Sequence, residues 1–229
     1  MTTQIYSVVL FIHVLFGFTA LATGLAVLIM KKGDNRHVLI GRVYYYGMAG
    51  VFFTTLFLLT LQPERESLWF LSTVAIVSFY QTFTGRRSVQ QKKEGLHPMA
   101  LDWFALSLLF LTGLCTGFAA LYYGLRGNWF MVGLFSFFSW IGFATAFQDF
   151  KLFTGKTAVG KSHWIFHHIS RMVASYAATV TAFMVNIIPR YLPDGTHWLV
   201  FMSIWVFPGL LIGILGNRFT KPLKKGVYI

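Results

Sequence analysis

The chain has 229 residues, of which 56% are hydrophobic and 18% are aromatic, a larger apolar share than a soluble core of this size needs. A formal net charge of +12 could indicate nucleic-acid binding, but such a protein gathers its basic residues on one soluble face. No soluble segment is long enough to form that face, so composition argues against a nucleic-acid partner. It predicts one helical domain, residues 1–229, in a lipid bilayer.

Apolar residues form seven runs along the chain. Because the hydrocarbon core of a bilayer is about 30 Å thick, a spanning helix needs about 20 mainly apolar residues. In chain order the runs cover residues 5–30, 38–61, 68–84, 99–123, 129–150, 166–188 and 197–216. The first lacks a preceding basic segment and is too long for a signal peptide, so we expect it to be retained. The third is the shortest and most polar. The pattern predicts an all-α bundle of seven transmembrane helices.

Basic residues alternate between the connections that join these runs. Sixteen of the 19 Lys and Arg residues fall in or next to the first, third and fifth connections and the C-terminal tail, and the other three are Arg65, Arg126 and Arg190. Short loops rich in Lys and Arg stay in the cytoplasm during insertion. This bias predicts an outside N-terminus and a cytoplasmic C-terminus.

Ionisable side chains enter the predicted spans mainly at the cytoplasmic rim. Such groups are expensive inside a membrane and usually face the bundle interior, so they mark candidate sites. The set at this depth is His37, Arg42, His97, Asp102, Asp149, His163, His167, His168 and Arg171.

The sixth run carries its polar residues on one helical face. Their spacing of three or four residues repeats the helical period, which predicts that the face looks into the bundle. The members are His168, Arg171, Ser175, Thr179 and Asn186.

A metal centre is one interpretation of the rim. His163 and His167 are four residues apart, so two imidazoles could converge on one ion of zinc or iron. An open coordination position would make the site a zinc-dependent intramembrane hydrolase. The remaining ligands would be His97 or His37, with Asp102 or Asp149.

Haem b is a second interpretation, because it needs one imidazole from each of two spans, an aromatic pocket and cations for its propionates. In this hypothesis His37 or His97 pairs with His167 or His168, while Arg42 and Arg171 meet the propionates. The preferred hypothesis is a bound metal or haem used for redox or metal-dependent chemistry.

Two alternatives need no prosthetic group. In a transporter of a small molecule or ion, Arg171 and the hydroxyls of Ser175 and Thr179 would line a route while the histidines exchange protons. Alternatively, His and Arg at the rim would bind anionic lipid headgroups. Spaced glycines such as Gly113 and Gly117 permit close helix packing and a possible homo-oligomer. A retinal protein is excluded because residues 197–216 contain no Lys.

Two helix starts resemble an uncharacterised bacterial family of multi-pass, histidine-bearing membrane proteins. One is the stretch His37-Val-Leu-Ile-Gly-Arg-Val-Tyr44, similar to that family's His-x-x-x-Gly-Arg-x-Tyr, and the other runs from His167 through Arg171 to Ala177. The resemblance implies a bacterial inner-membrane protein in which His37, Arg42, His167 and Arg171 are family features. It implies no activity.

Overall fold

The computed structural model describes residues 2–94, 96–157, 160 and 162–224, and this part of the chain is helical without strands. Seven α-helices follow one another along the chain. They are α1 (Thr2–Ile29), α2 (Asn35–Leu61), α3 (Glu66–Glu94), α4 (Ala100–Leu125), α5 (Trp129–Phe153), α6 (His163–Ile187) and α7 (Trp198–Lys224), with a short 3-10 turn at Ile188–Tyr191. The predicted all-α bundle is confirmed. Lys161 and Lys225, counted above for orientation, lie outside the described residues.

Six of the helices are long and apolar enough to cross a membrane, and α3 is the exception. This helix extends beyond the predicted run at its C-terminal end, to Glu94. Its polar side chains face protein: Ser72, Ser78, Gln81, Thr82, Thr84 and Ser88 are all buried. A helix surrounded by other helices does not need an apolar surface, because lipid does not touch it. The orientation in a membrane stays a prediction.

Short connections hold the helix ends together. Asp34 caps α2 by accepting a hydrogen bond from the His37 N–H at 2.7 Å, and Gly33 before it has φ +80°, which favours glycine. The Lys32 ammonium donates to the Val27 and Leu28 carbonyls at the end of α1, and partial burial lowers its pKa. We call the end of the bundle where α2, α4 and α6 begin the basic end, and the other the opposite end.

Two apolar clusters form the core, with α3 between them. The first joins α3, α4 and α5 around Phe70, Leu109 and Phe138. The second joins α1, α2, α6 and α7 around Tyr44 and Tyr176. Because α3 contacts both clusters, side chains on its two faces reach α5 on one side and α6 on the other.

Glycines allow close helix contacts at some of the predicted positions. A Cβ on Gly142 of α5 would lie 3.2 Å from the Cα of Gly113, so that glycine packs α4 against α5 as expected. A Cβ on Gly209 or Gly213 would meet nothing within 4 Å. These two glycines of α7 therefore do not lie at a close helix contact within the described residues.

Candidate functional site

A buried ion pair joins α5 and α6 near the basic end. The Arg171 Nη2 donates to Asp149 Oδ1 at 2.6 Å, and the two residues are only 6% and 1% exposed. Two α3 side chains complete the group: Tyr80 OH donates to Asp149 Oδ2 at 2.6 Å, and Arg171 Nη1 donates to Gln81 Oε1 at 2.8 Å. With His167 these residues form what we call the Asp149 site.

The positions of these residues along α3, α5 and α6 explain why their side chains meet near the basic end. Asp149 lies one turn before the end of α5, and Arg171 lies two turns after the start of α6. Both positions lie near the same end of the bundle, where the long Arg171 side chain extends past α3 to the Asp149 carboxylate. Tyr80 and Gln81 lie at the middle of α3. Removing charges from water costs several kcal/mol per ion unless each is paired and hydrogen-bonded, and here both charges are.

His167 gives the site its unusual feature. Its Nε2 lies 3.3 Å from Arg171 Nε, which can only donate, and 3.3 Å from Asp149 Oδ1, which accepts in the ion pair. One nitrogen cannot satisfy both neighbours at once. Without a proton it accepts from Arg171, and with a proton it donates to Asp149. The position of one proton therefore selects which hydrogen bond exists.

His163 lies between this site and the basic end of the bundle. Its ring is stacked on that of His167, with centroids 5.4 Å apart and planes inclined by 25°. His163 is the first residue of α6 and is half-buried, whereas His167 lies a turn deeper. The second ring nitrogen of His167, Nδ1, is buried without a partner within the described residues. The two imidazoles thus lie one turn apart on α6, between the basic end and the ion pair.

A second polar group lies one turn further from the basic end. Ser175 Oγ is 2.6 Å from Thr82 Oγ1 and 2.7 Å from Tyr44 OH, and both Ser175 and Thr82 are fully buried. Thr179 Oγ1 lies 3.4 Å from the same tyrosine hydroxyl. The face of α6 predicted from its spacing does look inward from His168 to Thr179. Asn186, at its far end, is exposed.

The proposed metal ligands separate into two places. His163, His167 and Asp149 lie together, but both Asp149 oxygens already accept hydrogen bonds. Asp102 instead forms an ion pair with Arg87 at 3.0 Å and accepts from the Met99 N–H at 2.8 Å. His97 lies exposed in the loop before α4. Across the described ranges, no group of three or more His, Cys, Asp or Glu is placed to hold a metal ion.

The residues proposed to hold haem either make other contacts or lie away from one another. His168 Nδ1 lies 2.8 Å from the Gly85 carbonyl oxygen, which fixes the ring against α3. Arg171 belongs to the ion pair, and Arg42 is exposed. His37 is half-buried, with Nδ1 unpartnered among the described residues. The arrangement therefore gives no support to a haem held by these residues, and haem binding stays a prediction.

Sequence reasoning missed the contribution of α3. Tyr80, Gln81 and Thr82 supply three of the contacts in the two polar groups. The signal was present in the sequence, because polar residues recur through this apolar run at Ser78, Thr82 and Thr84 and reduce its hydropathy. From sequence alone, this polarity makes the third run the weakest candidate for a membrane span. In the structure, the same polar residues belong to the helix that contributes to both polar groups.

Comparison of the chain with models of protein families, with curated proteins and with solved structures found no match. The resemblance of the two helix starts to an uncharacterised membrane family therefore stays a prediction. Function has to be inferred from the geometry of the Asp149 site and of the helices around it.

Proposed function

We propose that this protein is a proton-coupled transporter of a small molecule, and that the Asp149 site binds and releases the coupling proton. The observation that carries the proposal is the placement of His167 Nε2, 3.3 Å from both a fixed donor and a fixed acceptor inside the bundle. Ionisable side chains that lie close together inside membrane helices are typical of proton relays in pumps and transporters.

Protonation changes which helices are linked. When His167 Nε2 is unprotonated, it accepts from Arg171 on its own helix, and the Asp149–Arg171 pair has no net charge. A second ring proton, added at His167 Nε2 while Nδ1 keeps its own, lets Nε2 donate to Asp149 on α5 and adds one positive charge to a buried site. If the proton moves on to Asp149, the ion pair that joins α5 to α6 loses its charge attraction. Binding of a proton therefore changes the relative stability of two arrangements, one in which the ion pair holds α5 to α6 and one in which it does not. Proton-coupled transport requires such a change.

Two further features, Pro208 in α7 and the hydrogen bonds of Asp149, favour a transporter over a static cofactor site. Pro208 is buried within α7 and cannot donate a backbone hydrogen bond, so the helix is weakened at that point. Helix α7 continues through this proline, which makes Pro208 a point where the helix can bend. Both Asp149 oxygens are occupied by hydrogen bonds, which favours a charge-pairing role for this residue over metal ligation.

Transient currents test the proposal without knowledge of the substrate. The chain is reconstituted into liposomes on a solid-supported membrane, and the external solution is made acidic in one step. Proton entry into a site within the membrane moves charge and produces a brief current. We expect this current in the wild type and its loss in Asp149→Asn.

Asp34→Asn is the matched control, because it makes the same chemical change and asparagine caps a helix equally well. Its current should equal that of the wild type. An Asp149→Asn variant that folds and gives an unchanged current, or a wild type that gives none, would refute proton binding at this site.

A further inference from the structure

A half-open cavity of about 290 Å³ lies at the opposite end of the bundle, lined by residues of α3, α4, α5, α6, α7 and the 3-10 turn. Six of its 15 lining residues are aromatic: Phe70, Tyr123, Phe130, Phe135, Phe201 and Trp205. Phe70 contacts Phe135 and Trp205 edge to face, with ring centroids 5.2 Å apart in both pairs, and Tyr123 stacks on Phe135 at 5.5 Å. These contacts pack the aromatic rings of the wall against one another.

One carboxylate lies at this aromatic cavity. Glu66 is in the first turn of α3, where the helix dipole stabilises an ionised acid. The Tyr123 hydroxyl donates to Glu66 Oε2 at 2.7 Å, which ties the exposed Glu66 side chain to one of the rings that line the cavity. Among the described residues that line the cavity, none is Lys, Arg or His. The nearby Arg126 guanidinium is stacked over Tyr122 at 4.3 Å.

Aromatic faces beside a carboxylate match the chemistry of an organic cation. The electron-rich faces of Trp, Tyr and Phe attract quaternary ammonium groups, and Trp does so most strongly. Ligand pockets usually measure about 300–1,000 Å³, so this cavity suits a compact molecule.

We infer that the cavity binds a compact aromatic cation with a quaternary ammonium group, and that this cation is the transported molecule. This inference rests on the proposed proton-coupled transport. The cavity and the Asp149 site lie on the same helices: α3 carries both Phe70 and Tyr80, and α5 carries both Phe135 and Asp149. A change in the ion pair between α5 and α6 therefore reaches the wall of the cavity. Exchange of a cation for a proton also keeps the charge moved through the protein balanced.

Calorimetric titration with benzyltrimethylammonium tests the inference. The full chain is placed in lipid nanodiscs without choline lipids, because a choline headgroup carries the same quaternary ammonium group. We expect saturable binding to one site per chain, weakened about tenfold in Glu66→Gln. Glu64→Gln, a neighbouring exposed acid that does not line the cavity, should bind like the wild type. Phenylmethanesulfonate, with the same ring and a negative charge, should not bind.

Several results would overturn the cation site. These are absent binding by the wild type, equal affinity in Glu66→Gln, or equal binding of the sulfonate, which would indicate a purely apolar groove for lipid chains. Loss of binding in phosphatidylcholine discs would assign the cavity to a lipid headgroup. Acid-jump currents on the same preparation separate the two proposals. An Asp149-dependent current without cation binding refutes only the cation site, and cation binding without that current refutes only proton exchange.

Discussion

The Asp149–Arg171 pair allows a quantitative test by a double-mutant cycle. Arg171→Met keeps most of the side-chain volume but leaves the Asp149 carboxylate buried with Tyr80 and His167 as its partners. Breaking a buried pair by removing one partner typically costs about 3–5 kcal/mol. Both residues are almost fully buried, so solvent screening does not reduce this figure. In a membrane the unfolded helices keep some partners, and the lower part of the range applies.

The predicted loss of about 3 kcal/mol corresponds to a thermal midpoint lowered by roughly 6–12 °C for a chain of this size. The assay is thermal unfolding in mild detergent, followed by size-exclusion chromatography of the remaining monodisperse protein. Asp149→Asn should also destabilise, because it leaves the guanidinium unpaired. The double variant Asp149→Asn with Arg171→Met removes both charges and should recover most of the loss. Additive effects of the two single changes would refute the claim that the buried charges stabilise each other.

Other substitutions test separate contacts. His163→Ala should slow the acid-jump current, because His163 lies before the Asp149 site on the proposed proton path from the basic end. The current should not disappear, because Asp149 still binds the proton. An unchanged rise time of the current would contradict this path. Tyr80→Phe removes one hydrogen bond to a carboxylate and should lower stability by about 1.5–3 kcal/mol, measured by thermal unfolding. Gly216→Ala should lower the stability of the protein by about 1–3 kcal/mol, because its Cβ would lie 2.6 Å from a valine methyl group on α6. Gly209→Ala should leave the stability unchanged, because a Cβ at that position would meet no atom within 4 Å. Equal midpoints for the two alanine variants would contradict the packing of α6 against α7.

The helical bundle, and the end of the bundle at which the site lies, could be predicted from the sequence. Hydropathy located all seven helices, and the helical period of α6 placed His168, Arg171 and Ser175 on an inward face, where they lie. Distances along one helix are fixed by the helical geometry, so such inferences are secure. The partners of these residues were not predictable in the same way. Which helix faces α6 depends on tertiary packing, and no short-range pattern records that Asp149 pairs with Arg171 while Asp102 pairs with Arg87.

The polar character of α3 links the fold to the proposed transport. A helix in contact with lipid must be apolar, because hydrocarbon cannot satisfy hydroxyl and amide groups. Only a helix enclosed by others can carry Gln81, Thr82 and Ser88 in its middle and C-terminal half, and the neighbours of α3 supply partners for the first two. Low hydropathy in an otherwise helical membrane chain therefore identifies the enclosed helix. If α3 were replaced by an apolar helix of the same length, the bundle could still pack, but Asp149 and Arg171 would lose Tyr80 and Gln81. The polarity that makes α3 a poor candidate span is thus what permits charged groups to lie buried beside it.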